Sequence, residues 1–425
     1  MRPGMLRLSA QSCVAIAVIV GSSSVAACTT RHTADRSHRQ ASSMTTKGNW
    51  TPMKVGTSNL PQSSLLSSIS CPQVDWCLAV GSSRAEGSLT AQDLVAGGLP
   101  GDRGIALIIS NPSNVAKAEV LVSHGMSDFR GASCTSTTSC LIVGDRLTSS
   151  GTKLGAWTFD GSSLTRTQPV PADSPTGSSS FLNSVACATS DSCTAVGAVI
   201  SPLGEGRSTA SSPIVQTMAA GSWSSVRGPE TQAGIRLQSV SCVEVIHCGA
   251  AGSSWSSSGG SSVVPGGVVV QLEGSNWSTQ HSGALTAWQS VSCPSTTRCL
   301  IAGSRPDASL DSVASLKWIG DGSSAVGVPV KASRIQGLFG ASCTGTDTCV
   351  AVGWDRTKGA VSGSSVHPLV YEVAGSAATR ARVAEPSRGL HGALLSVSCP
   401  VEGKCVAVGQ ETRLGRNLPL VLLGP

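Results

Sequence analysis

Along most of this 425-residue chain, apolar residues alternate with small polar ones in short stretches, of which residues 237–241 and 394–398 are typical. A period of two is that of a β-strand with one buried face. Each stretch runs into a Cys, and after five more residues a second Cys opens a short apolar run that stops at a Gly, as in 405–409. This run reads as a second strand. A variable loop leads to a third apolar strand (105–109, 267–272, 368–373), and turn residues such as Gly274-Ser275 lead to a fourth (277–280, 380–384). The pattern predicts a four-stranded unit.

The unit recurs seven times in register: SISCPQVDWCLAVG begins at Ser68, GASCTSTTSCLIVG at Gly131, SVACATSDSCTAVG at Ser184, SVSCVEVIHCGAAG at Ser239, SVSCPSTTRCLIAG at Ser290, GASCTGTDTCVAVG at Gly340 and SVSCPVEGKCVAVG at Ser396. The first cysteines lie 63, 53, 55, 51, 50 and 56 residues apart, a period close to that of propeller blades. The last copy ends after three strands, at 418–425, and a matching fourth stands at the other end of the chain, where Gly48-Asn49-Trp50-Thr51 parallels Ser275-Asn276-Trp277-Ser278. Pairing the two ends closes a ring and removes the exposed edges of a linear array. The prediction is therefore an all-β, seven-bladed β-propeller of four-stranded blades over residues 48–425, its last blade completed by the N-terminal strand. Composition agrees: 48 Gly, 3% aromatic and 13% charged residues suit short strands and turns better than amphipathic helices.

Residues 1–27 read as a signal peptide, with Arg2 and Arg7 at a basic start, a short apolar run at 13–20 and small residues at 21–24. The run is too short to span a bilayer. Val25-Ala26-Ala27-Cys28 resembles the lipobox of bacterial lipoproteins, which implies that Cys28 becomes the lipidated first residue of the mature chain; ordinary cleavage after a small residue is the alternative. Residues 28–47, nearly free of large apolar side chains, then form a flexible tether.

Of sixteen cysteines, Cys13 falls in the signal peptide and Cys28 at the lipid site, leaving fourteen. These are the pairs Cys71 and Cys77, Cys134 and Cys140, Cys187 and Cys193, Cys242 and Cys248, Cys293 and Cys299, Cys343 and Cys349, and Cys399 and Cys405. An even set at repeated spacing in an exported chain is a disulfide framework, one bridge per blade. Zinc sites group their ligands more closely and redox motifs use C-x-x-C, so neither metal nor cofactor is expected; His247, inside one hairpin loop, reads as a solvent-facing side chain.

The net charge is +6, but residues 1–47 carry +5 of it, so the body lacks the basic patch a nucleic-acid binder needs. The face opposite the disulfide hairpins gathers the least regular segments, 82–102, 253–266, 304–311 and 354–367, and reads as the binding face. On it Arg84, Arg146, Arg305, Arg356 and Arg413 each lie two to four residues beyond the Gly of the second strand. They form either a ring for an anionic ligand or scattered solvated charges balanced by neighbours such as Asp145, Asp307 and Asp355. Catalytic signatures are missing. The single Tyr371 sits in an apolar strand, the S-x-D-x-G-x-x-W box of sialidase blades is absent, Asp160-Gly161 and Asp321-Gly322 read as turns, and no hydrolase or phosphate-loop motif occurs.

The repeats S-V-S-C-x5-C-x-A-V-G with G-x-x-W strands resemble those of secreted and lipid-anchored propeller-like proteins of actinobacteria. The resemblance covers nearly all of 48–425 and implies fold and location, not a reaction. The expectation is a binding or scaffolding module on the extracytoplasmic face of the cell membrane, touching the membrane through its lipid anchor only, with an envelope protein or a cell-wall glycan as partner. A glycan-acting enzyme, a sialidase-like hydrolase or a lyase with its site at the channel mouth, is the alternative.

Overall fold

The computed structural model describes residues 49–55, 63–84, 103–112, 117–123, 127–149, 151–169, 177–203, 207–226, 234–257, 263–273, 276–284, 286–306, 311–320, 325–329, 334–358, 366–384, 390–413 and 416–425. The segments expected to be signal peptide and tether, with Cys28, lie outside them, as do the centres of the four irregular segments.

Seven antiparallel sheets succeed one another along the chain, six with their strands in sequence order and the last with the N-terminal strand added at its edge. The first strand of each sheet touches the first strand of the next, from Ser63–Gln73 through Ser127–Ser136, Ser179–Thr189, Ile235–Glu244, Ala287–Ser295, Arg334–Cys343 and Gly392–Val401 and back to Ser63–Gln73. These strands form a closed inner ring of a seven-bladed propeller. Closure is as predicted: Thr51–Pro52 pairs with Arg416–Leu423 at the outer edge of blade 7, and Trp50, only 1% exposed, bridges to Val383 of blade 6.

The apolar residues are divided among seven clusters rather than one core, each shared by two neighbouring blades. Leu78 and Val80 of blade 1 pack with Phe129 and Ile142 of blade 2, and Val408 and Val421 of blade 7 pack with Leu66 and Ile69 of blade 1. A chain of this length thus avoids the size limit of a single core. A middle strand is covered on both sides, which is why Cys140, Leu141, Ile142 and Val143 form an unbroken buried run.

All seven disulfides form within blades. In four blades the two cysteines stand directly opposite one another on the inner two strands. Each bridge is embedded in the cluster shared with the preceding blade, as Cys193 is among Leu141 and Val143 of blade 2. Seven bridges fit an oxidising, extracytoplasmic setting.

Three details depart from the sequence reading. The second strands continue past their Gly, Ser139–Thr148 beyond Gly144 and Lys404–Arg413 beyond Gly409. The fourth strand of blade 6 is Ala377–Arg380, not 380–384, because Gly375, with φ 57°, and Ser376 turn the chain back at once. In blade 5 the fourth strand shrinks to one bridge, Lys317 to Ala325. There the Val326 N–H donates to Leu316 O while that of Gly327 donates to Ser376 O of blade 6, so the segment divides its donors between two blades and builds no ladder.

Candidate functional site

Every inner strand carries a β-bulge at the same place. The register shifts between Leu66 and Ser68, Phe129 and Gly131, Leu182 and Ser184, Leu237 and Ser239, Trp288 and Ser290, Leu338 and Gly340, and Leu394 and Ser396. The bulge presses a backbone carbonyl onto the partner strand. That is what the invariant Gly accommodates: a Cβ on Gly144 would overlap the carbonyl oxygen of Asp128, and one on Gly197 that of Phe181.

The extra residue of each bulge stands four positions before the first Cys: Ser67, Arg130, Asn183, Gln238, Gln289, Phe339 and Leu395. All seven are half-buried and line one cavity of about 270 Å³ at the propeller centre. The residue two positions before the Cys also lines it in every blade, Ile69, Ala132, Val185, Val240, Val291, Ala341 and Val397, giving a small aliphatic collar on the hairpin side. Polar bulge residues therefore occupy blades 1 to 5, and apolar ones blades 6 and 7.

Between these two rings runs the serine pattern of the repeats. Eleven backbone N–H groups each donate to a serine Oγ of the preceding blade at 2.9–3.3 Å. Ala132 and Cys134 donate to Ser68 and Ser70, and the circle closes where Ile69 and Cys71 donate to Ser396 and Ser398. Gaps among these described residues fall at Gly131, Ala186 and Gly340, the positions without a hydroxyl. At Gly131 and Gly340 a Cβ would approach Ser184 Cα and Ser396 Cα to 2.8 and 2.9 Å. At about 1 kcal/mol net per bond the belt contributes on the order of 10 kcal/mol to blade-to-blade cohesion.

One charged group enters the cavity wall with its counter-ions. Asp128 and Asp145 face each other across strands of blade 2, and Arg130 lies between them, Nε 2.7 Å from Asp145 Oδ1 and Nη2 3.2 Å from Asp128 Oδ2. The guanidinium also covers the Phe181 ring of blade 3 at 4.7 Å. Ser67 donates to Phe129 O at 2.6 Å and Asn183 to Leu237 O at 2.8 Å, each a carbonyl of the next blade.

The five arginines singled out from sequence lie at or near the ends of second strands, away from the hairpins, and none of the four with described side chains lines the cavity. Arg146 is half-buried, and burial together with Arg166 pushes its guanidinium below the ordinary value. Arg305 is exposed, Arg356 lies 5.9 Å from the Trp354 ring, and the exposed Arg413 pairs with Glu411 at 2.9 Å. The side chain of Arg84 is outside the described residues. Arg146 and Arg305 stand two residues beyond their Gly and Arg356 three, an offset that alternation along a strand turns to opposite sides of a blade.

Tyr371 is fully buried, its hydroxyl 3.1 Å from Gln336 Oε1 and 3.2 Å from Pro329 O, and burial raises its pKa. Close by, Asp355 is held by Arg334 and Arg380, each at 2.6 Å, so this network is structural. Asp160 accepts from the N–H groups and hydroxyls of Ser162 and Ser163, the turn read from sequence. His247 pairs with Glu244 at 3.1 Å. Among the described residues no group of three or more His, Cys, Asp or Glu could hold a metal ion. Sequence reasoning missed Arg130 and the other bulge residues. The available signal was the position preceding the S-x-S-C core, which differs between copies while its neighbours repeat.

Fold and cavity together define a closed propeller with a polar central opening. No protein-family model matches the chain, and no curated protein matches it in sequence. Solved structures similar to it include the β-propeller domain of the Trilobed protease from Pyrococcus furiosus, at 9% identity and TM-score 0.48 over 84% of this chain and 95% of that one. Trypanosoma rangeli sialidase is similar at 8% and 0.44 over 89% of this chain and 58% of its own. Chaetomium thermophilum Sqt1, bound to the N-terminus of ribosomal protein L10, is similar at 10% and 0.42 over 87% and 89%. At such identities the likeness concerns fold alone.

Proposed function

We propose that the chain is a lipid-anchored extracytoplasmic binding module that receives an envelope partner at its central opening, on the face away from the disulfide hairpins. The observation that carries this reading is the ring of seven bulge residues, of six types in seven blades, set directly beside a ring of serines that repeats. A scaffold selected only for stability has no reason to break its symmetry at one cavity-lining position while the neighbouring ones stay serine or small and aliphatic.

Catalysis is not favoured. Glycoside hydrolysis uses two carboxylates in distinct roles, whereas Asp128 and Asp145 are both engaged by Arg130. A photo-crosslinking residue placed at position 395, at the cavity, and another at 245, on a hairpin, would be compared in intact cells. Capture of one envelope component from 395 but not 245 is expected. Capture from 245 alone would sink the assignment of the face, and loss of the protein from the membrane fraction in a Cys28→Ala variant is the matching test of the anchor.

A further inference from the structure

We infer that the central cavity takes an uncharged sugar ring, the exposed unit of a neutral glycan; this rests on the proposed binding role and narrows its ligand. Three of the five polar bulge residues are already engaged: Ser67 and Asn183 by carbonyls of the next blade, and Arg130 by two carboxylates. The remaining two, Gln238 and Gln289, sit on adjacent inner strands, half-buried and lining the cavity, and among the described residues neither carboxamide has a hydrogen-bond partner. Each offers a donor and an acceptor, the combination that neighbouring sugar hydroxyls need, since every hydroxyl both gives and receives.

Next to Gln289 in the ring comes Phe339, then Leu395, so on one side the polar pair borders an aromatic and then an aliphatic surface, with Asn183 on the other. A pyranose has the same division, hydroxyls around its edge and a C–H face able to lie on a ring. Phe339 is half-buried on the cavity wall although its neighbour Leu338 is fully buried, so its ring borders space rather than filling a core. At about 270 Å³ the cavity lies near the small end of ligand sites, suited to one ring rather than an extended chain.

Charge separates this ligand from acidic sugars. Arg130 and Asp128 are the charged residues of the cavity wall, a balance of zero, with Asp145 holding Arg130 from behind; of the arginines beyond the second-strand glycines, none with a described side chain lines it. An anionic sugar would have to displace a carboxylate from Arg130 or stay unpaired in a half-buried site.

The full mature chain would be titrated calorimetrically with the methyl glycosides of glucose, galactose, mannose and N-acetylglucosamine, and with glucuronate and sialic acid. At least one neutral glycoside is expected to bind saturably, with glucuronate and sialate weaker by about tenfold or more. Gln238→Ala, Gln289→Ala and Phe339→Ala should each weaken binding by about tenfold with an unchanged unfolding temperature, and Arg413→Ala should leave it unaltered. Gln238→Glu, nearly isosteric, guards against a folding artefact by testing polarity without loss of volume. Absence of binding across the neutral panel, preference for an acidic sugar, or binding indifferent to both glutamines would overturn the inference. If position 395 still captured an envelope component in cells while no neutral sugar bound, the ligand class would fall and the binding face would stand.

Discussion

Two rings lie side by side at the propeller centre, offset by a single residue. In one, positions three and one before the Cys carry serine in nearly every blade and hold each blade to the next. In the other, position four before the Cys carries six different residue types in seven blades and faces the cavity. The contrast teaches that repetition in this chain marks cohesion, and departure from repetition marks recognition.

Breaking the scaffold side should cost most where backbone meets backbone. Gly197→Ala forces a Cβ onto the Phe181 carbonyl and should lower stability by about 3 kcal/mol or more, or prevent folding; Gly221→Ala, with nothing within 4 Å but φ +77°, should cost about 1 kcal/mol. Thermal unfolding compares the two, and equal shifts would mean that the bulge yields. Replacing Cys187 and Cys193 together should cost about 2 kcal/mol by the loop-entropy estimate, read from denaturant midpoints.

The serine ring should respond in smaller, signed steps. Ser241→Ala strands the Cys293 N–H and should cost about 1–2 kcal/mol. Ala186→Ser supplies a hydroxyl where one is missing and should gain up to about 1 kcal/mol, whereas Gly131→Ser should gain nothing because its Cβ meets Ser184 Cα. Loss on Ala186→Ser would show that the belt is not what orders the blades. On the recognition side, Gln238→Ala should shift stability by no more than about 0.5 kcal/mol.

The smallest expected effect lies at the rim. Asp160, exposed in its turn, is held well below the ordinary aspartate pKa by the N–H groups and then the hydroxyls of Ser162 and Ser163. A depressed folded-state pKa contributes stability above the ordinary value of 3.8, and that contribution disappears as pH falls below it. Asp160→Asn should therefore flatten the acid limb of a stability profile below about pH 4; an unaltered limb would leave the turn without electrostatic weight.

The fold was legible because its signals are local and repeated: Cys spacing, strand alternation, and the Gly-Asn-Trp-Thr match that closes blade 7. The serine belt was harder to read since it joins residues 51 to 327 positions apart, a relation visible only when the copies are arranged in a circle. A bulge leaves its trace in the partner strand, so Gly144 and its equivalents look like strand ends in sequence although the strands continue. The arginines beyond that Gly recur at similar offsets, whereas Arg130 stands alone at its position on an inner strand and has no repeat to mark it.

Synthesis proceeds from residue 1 toward 425, so Thr51 and Pro52 leave the ribosome long before Leu422 and Leu423, the residues they pair with. The earliest described strand thus finds its partner only once the last has been made, and Trp50 lies in a cluster that the final blade completes. Deleting the final strand would therefore remove a partner from both ends of the propeller at once.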